Sequence, residues 1–94
     1  AESGLIESEW SELALLIDAT YSDFTKRIVA LSPRISTEEL RICYLVKIGI
    51  PVKKIAILTN LTSSGVSQCR RRLYKKLTQE PENAENFDIF ISDF

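Results

Sequence analysis

The chain reads as a small all-α domain with a central helix-turn-helix, an N-terminal helical extension and a short C-terminal amphipathic helix. Three observations predict this. Apolar residues recur at intervals of three and four through most of the sequence, the period of a buried helix face. No segment shows the sustained alternation of a half-buried strand, apart from short apolar runs. Residues 52–77, VKKIAILTNLTSSGVSQCRRRLYKKL, place a small residue, a turn residue and an amphipathic stretch at the separations two packed helices need.

In chain order, Ile6, Trp10, Leu13, Ile17, Tyr21, Phe24, Ile28 and Leu31 follow at spacings of four or three. The stripe predicts two helices broken near residues 20–22, with Ser22 as the second N-cap. Its aromatic members read as core. A mean spacing of about 3.5 leaves a coiled-coil seam to a second protomer as the alternative. Pro33 ends the element, because proline disfavours helix in the residue before it. Ser36 and Glu39 form a capping box that opens a helix to about Ile48, with Gly49 at C′.

Pro51 suits the first turn of the next helix, about residues 52–58. Ala56, beside Ile55, is small enough for close backbone approach, and Asn60 in the turn 59–61 tolerates left-handed geometry. A helix over about 63–78 follows, with Thr62 as N-cap. Residues 79–86 read as a polar linker. Phe87, Phe90, Ile91 and Phe94 then recur at i, i+3, i+4 and i+7, so the last eight residues form an amphipathic helix. The organisation is an extension over 1–33 packed on a core over 34–78, followed by 79–94, as one compact domain overall. A start at Ala1 rather than Met suggests a piece of a longer protein.

Net charge is −1, but it is unevenly spread. Residues 1–33 carry six acids and two bases, residues 34–77 ten bases and two acids, and residues 78–94 five acids and no base. A basic centre between acidic ends argues for a local face that binds a polyanion. No run of about 18 apolar residues is present to cross a bilayer, so no membrane contact by this segment and a cytoplasmic location are expected. The parent protein could still carry an anchor. Cys43 and Cys69 belong to no Cys-x-x-Cys pair, and the chain has no histidine, so both read as core thiols, with a redox switch as the alternative. Without histidine, a glycine-rich phosphate loop, paired carboxylates in an apolar setting or a nucleophile beside a base, no enzyme and no cofactor are expected.

At 100° per residue, Val66, Leu73 and Leu77 share one face of the 63–78 helix, with Cys69 at its margin. Ser64, Gln68, Arg71 and Lys75 share the opposite face, with Ser67 at its flank. Short side chains at Ser63, Ser64, Gly65 and Ser67 permit close approach to a duplex, and Thr62, Ser63 and Ser64 offer N–H groups and hydroxyls to a phosphate. Gln68 suits adenine, and Arg71 suits guanine or a phosphate. Lys53, Lys54, Lys75 and Lys76 read as backbone-positioning charges. Arg70 and Arg72 lie off this face, and an ion pair from one of them to Glu38 or Glu39 is as good a reading as DNA contact.

These residues resemble the helix-turn-helix of LuxR/GerE-type bacterial transcription regulators over residues 35–77. The matching positions are Ile35-Ser36 at the start, Glu39, Gly49, Ile55-Ala56, Leu61-Thr62 in the turn, Val66, and Lys76-Leu77 at the end. Sigma-factor region four shares much of the pattern. The Leu-Ser-Pro entry, the run from Arg70 to Leu77 and the phenylalanine-rich end look most like C-terminal domains of Bacteroidetes-type regulators with upstream tetratricopeptide or sensor regions. The resemblance implies double-stranded DNA as ligand, a dimer across two half-sites, and RNA polymerase or an upstream sensor domain as further partners. Four positions depart from the family pattern: Thr59 replaces a leucine, Gly65 a phosphate-contacting threonine, Ser67 a lysine and Cys69 a histidine. The departures imply fewer contacts from the second helix, with the arginines after Cys69 as compensation. The alternative function is a protein-interaction module that keeps the helix-turn-helix as scaffold.

Overall fold

Among the described residues, six helices form where apolar periodicity and capping chemistry allow them. A computed structural model describes residues 4–94 as α1 (Glu7–Thr20), α2 (Phe24–Leu31), α3 (Thr37–Lys47), α4 (Val52–Thr59), α5 (Ser63–Thr78) and α6 (Ala84–Asp93), with no strand among the described residues. The stripe does divide into two helices, but Ser22 is not the cap. Ser22 and Asp23 both take positive φ, 47° and 58°, to turn the chain, and Asp23 occupies the N-cap position without a side-chain bond. The Thr25 N–H instead donates to Asp18 Oδ1 at 2.7 Å, so the acceptor for α2 comes from the end of α1.

The capping box on α3 is complete. Ser36 N–H donates to Glu39 Oε1 at 2.9 Å, and Glu39 N–H to Ser36 Oγ at 3.1 Å. At the far end, Gly49 N–H donates to the Val46 carbonyl and Ile50 N–H to the Leu45 carbonyl, at 3.0 and 2.9 Å. This is a Schellman closure, and it needs the left-handed φ of 83° that glycine adopts without strain. Helix α4 ends the same way, with Asn60 at φ 59° and Leu61 N–H donating to the Ala56 carbonyl at 2.9 Å. Before α1, Leu5 N–H donates to the Leu58 carbonyl at 3.1 Å, which satisfies another carbonyl at this helix end.

Every helix contributes to one core, from Trp10 and Ile17 on α1 to Phe87 and Ile91 on α6. Ile6 and Leu31, the ends of the predicted stripe, are largely exposed. Helix α6 starts at Ala84, inside the stretch expected to be linker, because Asn83 Oδ1 accepts from Asn86 N–H at 2.8 Å and caps it. It packs against α5, where the Tyr74 and Phe90 rings meet edge to face at 6.5 Å. Two cations hold its C-terminal end. Lys47 Nζ donates to the carbonyls of Ile91 and Ser92 at 3.2 and 3.0 Å, and Arg27 Nη1 donates to the Phe94 carbonyl at 2.7 Å. Positive charge at a helix C-terminus opposes the partial negative charge of its free carbonyls.

Candidate nucleic-acid interface

Helix α5 has its expected limits because its first turn is locally determined. Thr62 is extended, and its Oγ1 accepts from Gly65 N–H at 2.9 Å. The N–H groups of Ser63 and Ser64 lie at the first two positions of the helix, where no intrahelical acceptor exists. A Cβ added at Gly65 would lie 3.2 Å from Thr62 Oγ1, so a larger residue there would crowd the cap. Just before the turn, Thr59 Oγ1 donates to the Ile55 carbonyl at 2.7 Å, which satisfies its hydroxyl at this half-buried position.

The two faces of α5 separate as the helical wheel places them. Val66, Leu73 and Leu77 are buried, whereas Ser64, Gln68, Arg71 and Lys75 are exposed. Thr62 and Ser63 are exposed at the helix start, and Lys53 and Lys54 are exposed in the first turn of α4. Ser67 is half-buried, and its Oγ accepts from Arg70 Nη1 at 3.3 Å rather than lying open on the flank.

The basic centre is less free than its sequence count. Arg41 pairs with Glu7 at 2.8 Å, Arg70 with Asp88 at 2.6 Å, Lys76 with Glu39 at 2.8 Å, and Lys47 is held by α6 carbonyls. The expected pairing of Arg70 or Arg72 with Glu38 or Glu39 is therefore corrected. Lys76 takes Glu39, and Arg70 turns the other way to α6. Arg70 lies beside Leu77 on the wheel, not beside Arg71, and this was the signal in the sequence for its burial. Among the described residues Lys53, Lys54, Arg72 and Lys75 make no ion pair, and Arg71 has one long contact, 3.9 Å, with Glu82.

Burial raises Glu39, but the Lys76 ammonium and the Ser36 N–H outweigh it and hold the carboxyl below its usual value. It is therefore ionised at neutral pH and joins the start of α3 to the end of α5. Burial pushes the Cys69 thiol up to about 11, with the carboxylates of Glu39 and Glu38 adding to the shift, and burial raises Cys43 further. Both thiols are protonated at neutral pH, the state of a packing residue rather than a nucleophile. Among the described residues no group of three or more potential ligands could hold a metal ion, and no helix is long and apolar enough to cross a membrane. The arrangement offers a short-side-chained helix start followed by amide, guanidinium and ammonium groups along one open face, backed by core. Compared with protein families, curated proteins and solved structures, the chain matches none.

Proposed function

We propose that the chain is the DNA-binding domain of a bacterial transcription regulator, with α4, its turn and α5 forming a helix-turn-helix and α5 entering the major groove. The observation that carries this reading is the division of α5: Val66 and Leu73 fully buried, and Ser64, Gln68, Arg71 and Lys75 open to solvent on the opposite side. An apolar face anchors a recognition helix, and its other face must be free for base edges and phosphates. In this reading Gln68 and Arg71 contact bases, Thr62, Ser63 and Ser64 approach a phosphate at the helix start, and Lys53, Lys54 and Lys75 position the backbone. The likeness to LuxR/GerE-type regulators over residues 35–77 supports the same assignment, with a cytoplasmic location and pairing across two half-sites. A second reading, contact with RNA polymerase or a sigma factor, is favoured by Leu15 and Leu16, which stand 72% and 65% exposed on α1.

Selecting sites from a randomised duplex pool tests the proposal. The expected outcome is an enriched sequence. Gln68→Ala and Arg71→Ala then each relax choice at a base position, costing about 1–3 kcal/mol on the selected site. Lys53→Ala weakens all sequences alike. A pool without enrichment, together with no duplex retained at about 50 mM salt, would remove the DNA-binding reading in favour of protein contact.

A further inference from the structure

Among the described residues Arg70 is the only charged side chain the fold buries, at 6% exposure. Its guanidinium grips Asp88 with two parallel bonds, Nε to Oδ1 at 3.0 Å and Nη2 to Oδ2 at 2.6 Å. Nη2 also donates to the Ala84 carbonyl at 3.4 Å, and Nη1 to Ser67 Oγ at 3.3 Å. A forked pair of this kind fixes orientation as well as charge. Ser67 is the outermost member of the chain, on the flank of the exposed α5 face. The hydroxyls of Thr59 and Thr78 donate back to carbonyls of their own helices at 2.7 and 2.6 Å. Ser67 instead accepts, and its own hydrogen has no acceptor among the described residues.

We propose that Asp88 and Arg70 are positioning residues of the DNA-reading face. The carboxylate holds the guanidinium, and the guanidinium holds the Ser67 oxygen. The Ser67 hydroxyl is thereby presented as a donor to a phosphate oxygen at the edge of the groove. The same lock keeps the charge of Arg70 off the DNA backbone, although it sits in a run of three arginines. This inference rests on the DNA-binding reading.

The test is duplex affinity against salt for the wild-type chain and three variants. Losing the carboxylate in Asp88→Asn leaves the guanidinium unpaired, and it turns outward to a phosphate. The slope of log affinity against log salt then steepens by about 0.9, the value for one added phosphate contact. Asp93→Asn makes the same charge change at the exposed end of α6 and is expected to leave the slope as in wild type. Ser67→Ala is expected to weaken the selected duplex about ten-fold, the scale of one hydrogen bond to a charged oxygen, with the slope unchanged because no cation is removed. It removes a single hydroxyl, so it decides alone should Asp88→Asn not fold. The positioning role is overturned if Asp88→Asn keeps the wild-type slope, if Asp93→Asn steepens it equally, or if Ser67→Ala binds as wild type. A wild-type chain that binds no duplex at about 50 mM salt overturns the DNA-binding reading and this inference with it. Normal wild-type binding with unaltered variants overturns the positioning alone.

Discussion

Phe87→Ala is expected to destabilise the domain by about 3–5 kcal/mol, measured as the loss of unfolding free energy in urea. Phe87 is fully buried where α6 meets the rest of the core, and truncation removes a ring while leaving a cavity the helices can close only in part. A domain of this length has a total stability of roughly 5–14 kcal/mol, so the variant lies near the limit of folding. The cost extends beyond the core. Helix α6 carries Asp88, and an undocked α6 would expose the Arg70 guanidinium beside the face proposed to read DNA. Conservative Phe87→Leu, which keeps most of the apolar volume, is expected to cost less than half as much. Equal losses in the two variants would show that ring volume is not what seats α6.

Raising salt from about 50 to about 200 mM is expected to weaken duplex binding roughly 10²-fold. The magnitude follows from which cations are available. The sequence places ten bases in residues 34–77, which alone would suggest a far steeper dependence. Four of them, Arg41, Lys47, Arg70 and Lys76, hold the fold together. Of the rest, Lys53, Lys54, Arg72 and Lys75 are exposed on the two helices assigned to the duplex and make no ion pair among the described residues, while Arg71 is assigned to a base. Four phosphate contacts at about 0.9 each give the expected loss over a four-fold change in salt. Fluorescence anisotropy of a labelled duplex at several salt concentrations reads the slope directly. A slope twice as steep would mean that the internal ion pairs open on binding.

The parts of the fold that were legible are those fixed by neighbours in sequence. Thr62 caps α5 and Ser36 caps α3 through residues three positions away, so the sequence contains both partners of each bond. Asn60 and Gly49 mark their turns because few other residues accept the left-handed backbone found there. The start of α2 was not legible in the same way, since its acceptor is Asp18, seven residues back and on another helix. The first turn of α6 is harder to read because Glu85 and Asn86 are polar and only the small Ala84 continues the spacing of Phe87 and Ile91, although Asn83 is available as a cap.

The candidate site divides along the same line. One helix wheel separates Gln68 and Arg71 from Val66 and Leu73, because burial of α5 depends mainly on its own pattern. The partner of Arg70 depends on how α6 docks, which no single helix encodes. The wheel could exclude Arg70 from the open face, but it could not supply Asp88. Ser67 falls at the flank on the wheel, but its partial burial and its bond to Arg70 follow from that docking.

The most direct test of the central claim, that the open face of α5 binds duplex DNA, is a titration of the isotope-labelled chain with a selected duplex, followed by amide NMR signals. The account predicts that the largest shifts fall on Ser64, Gln68, Arg71 and Lys75 and around Lys53 and Lys54, with α1 unmoved. Shifts confined to α1 around Leu15 and Leu16, or no shifts at low salt, would contradict it.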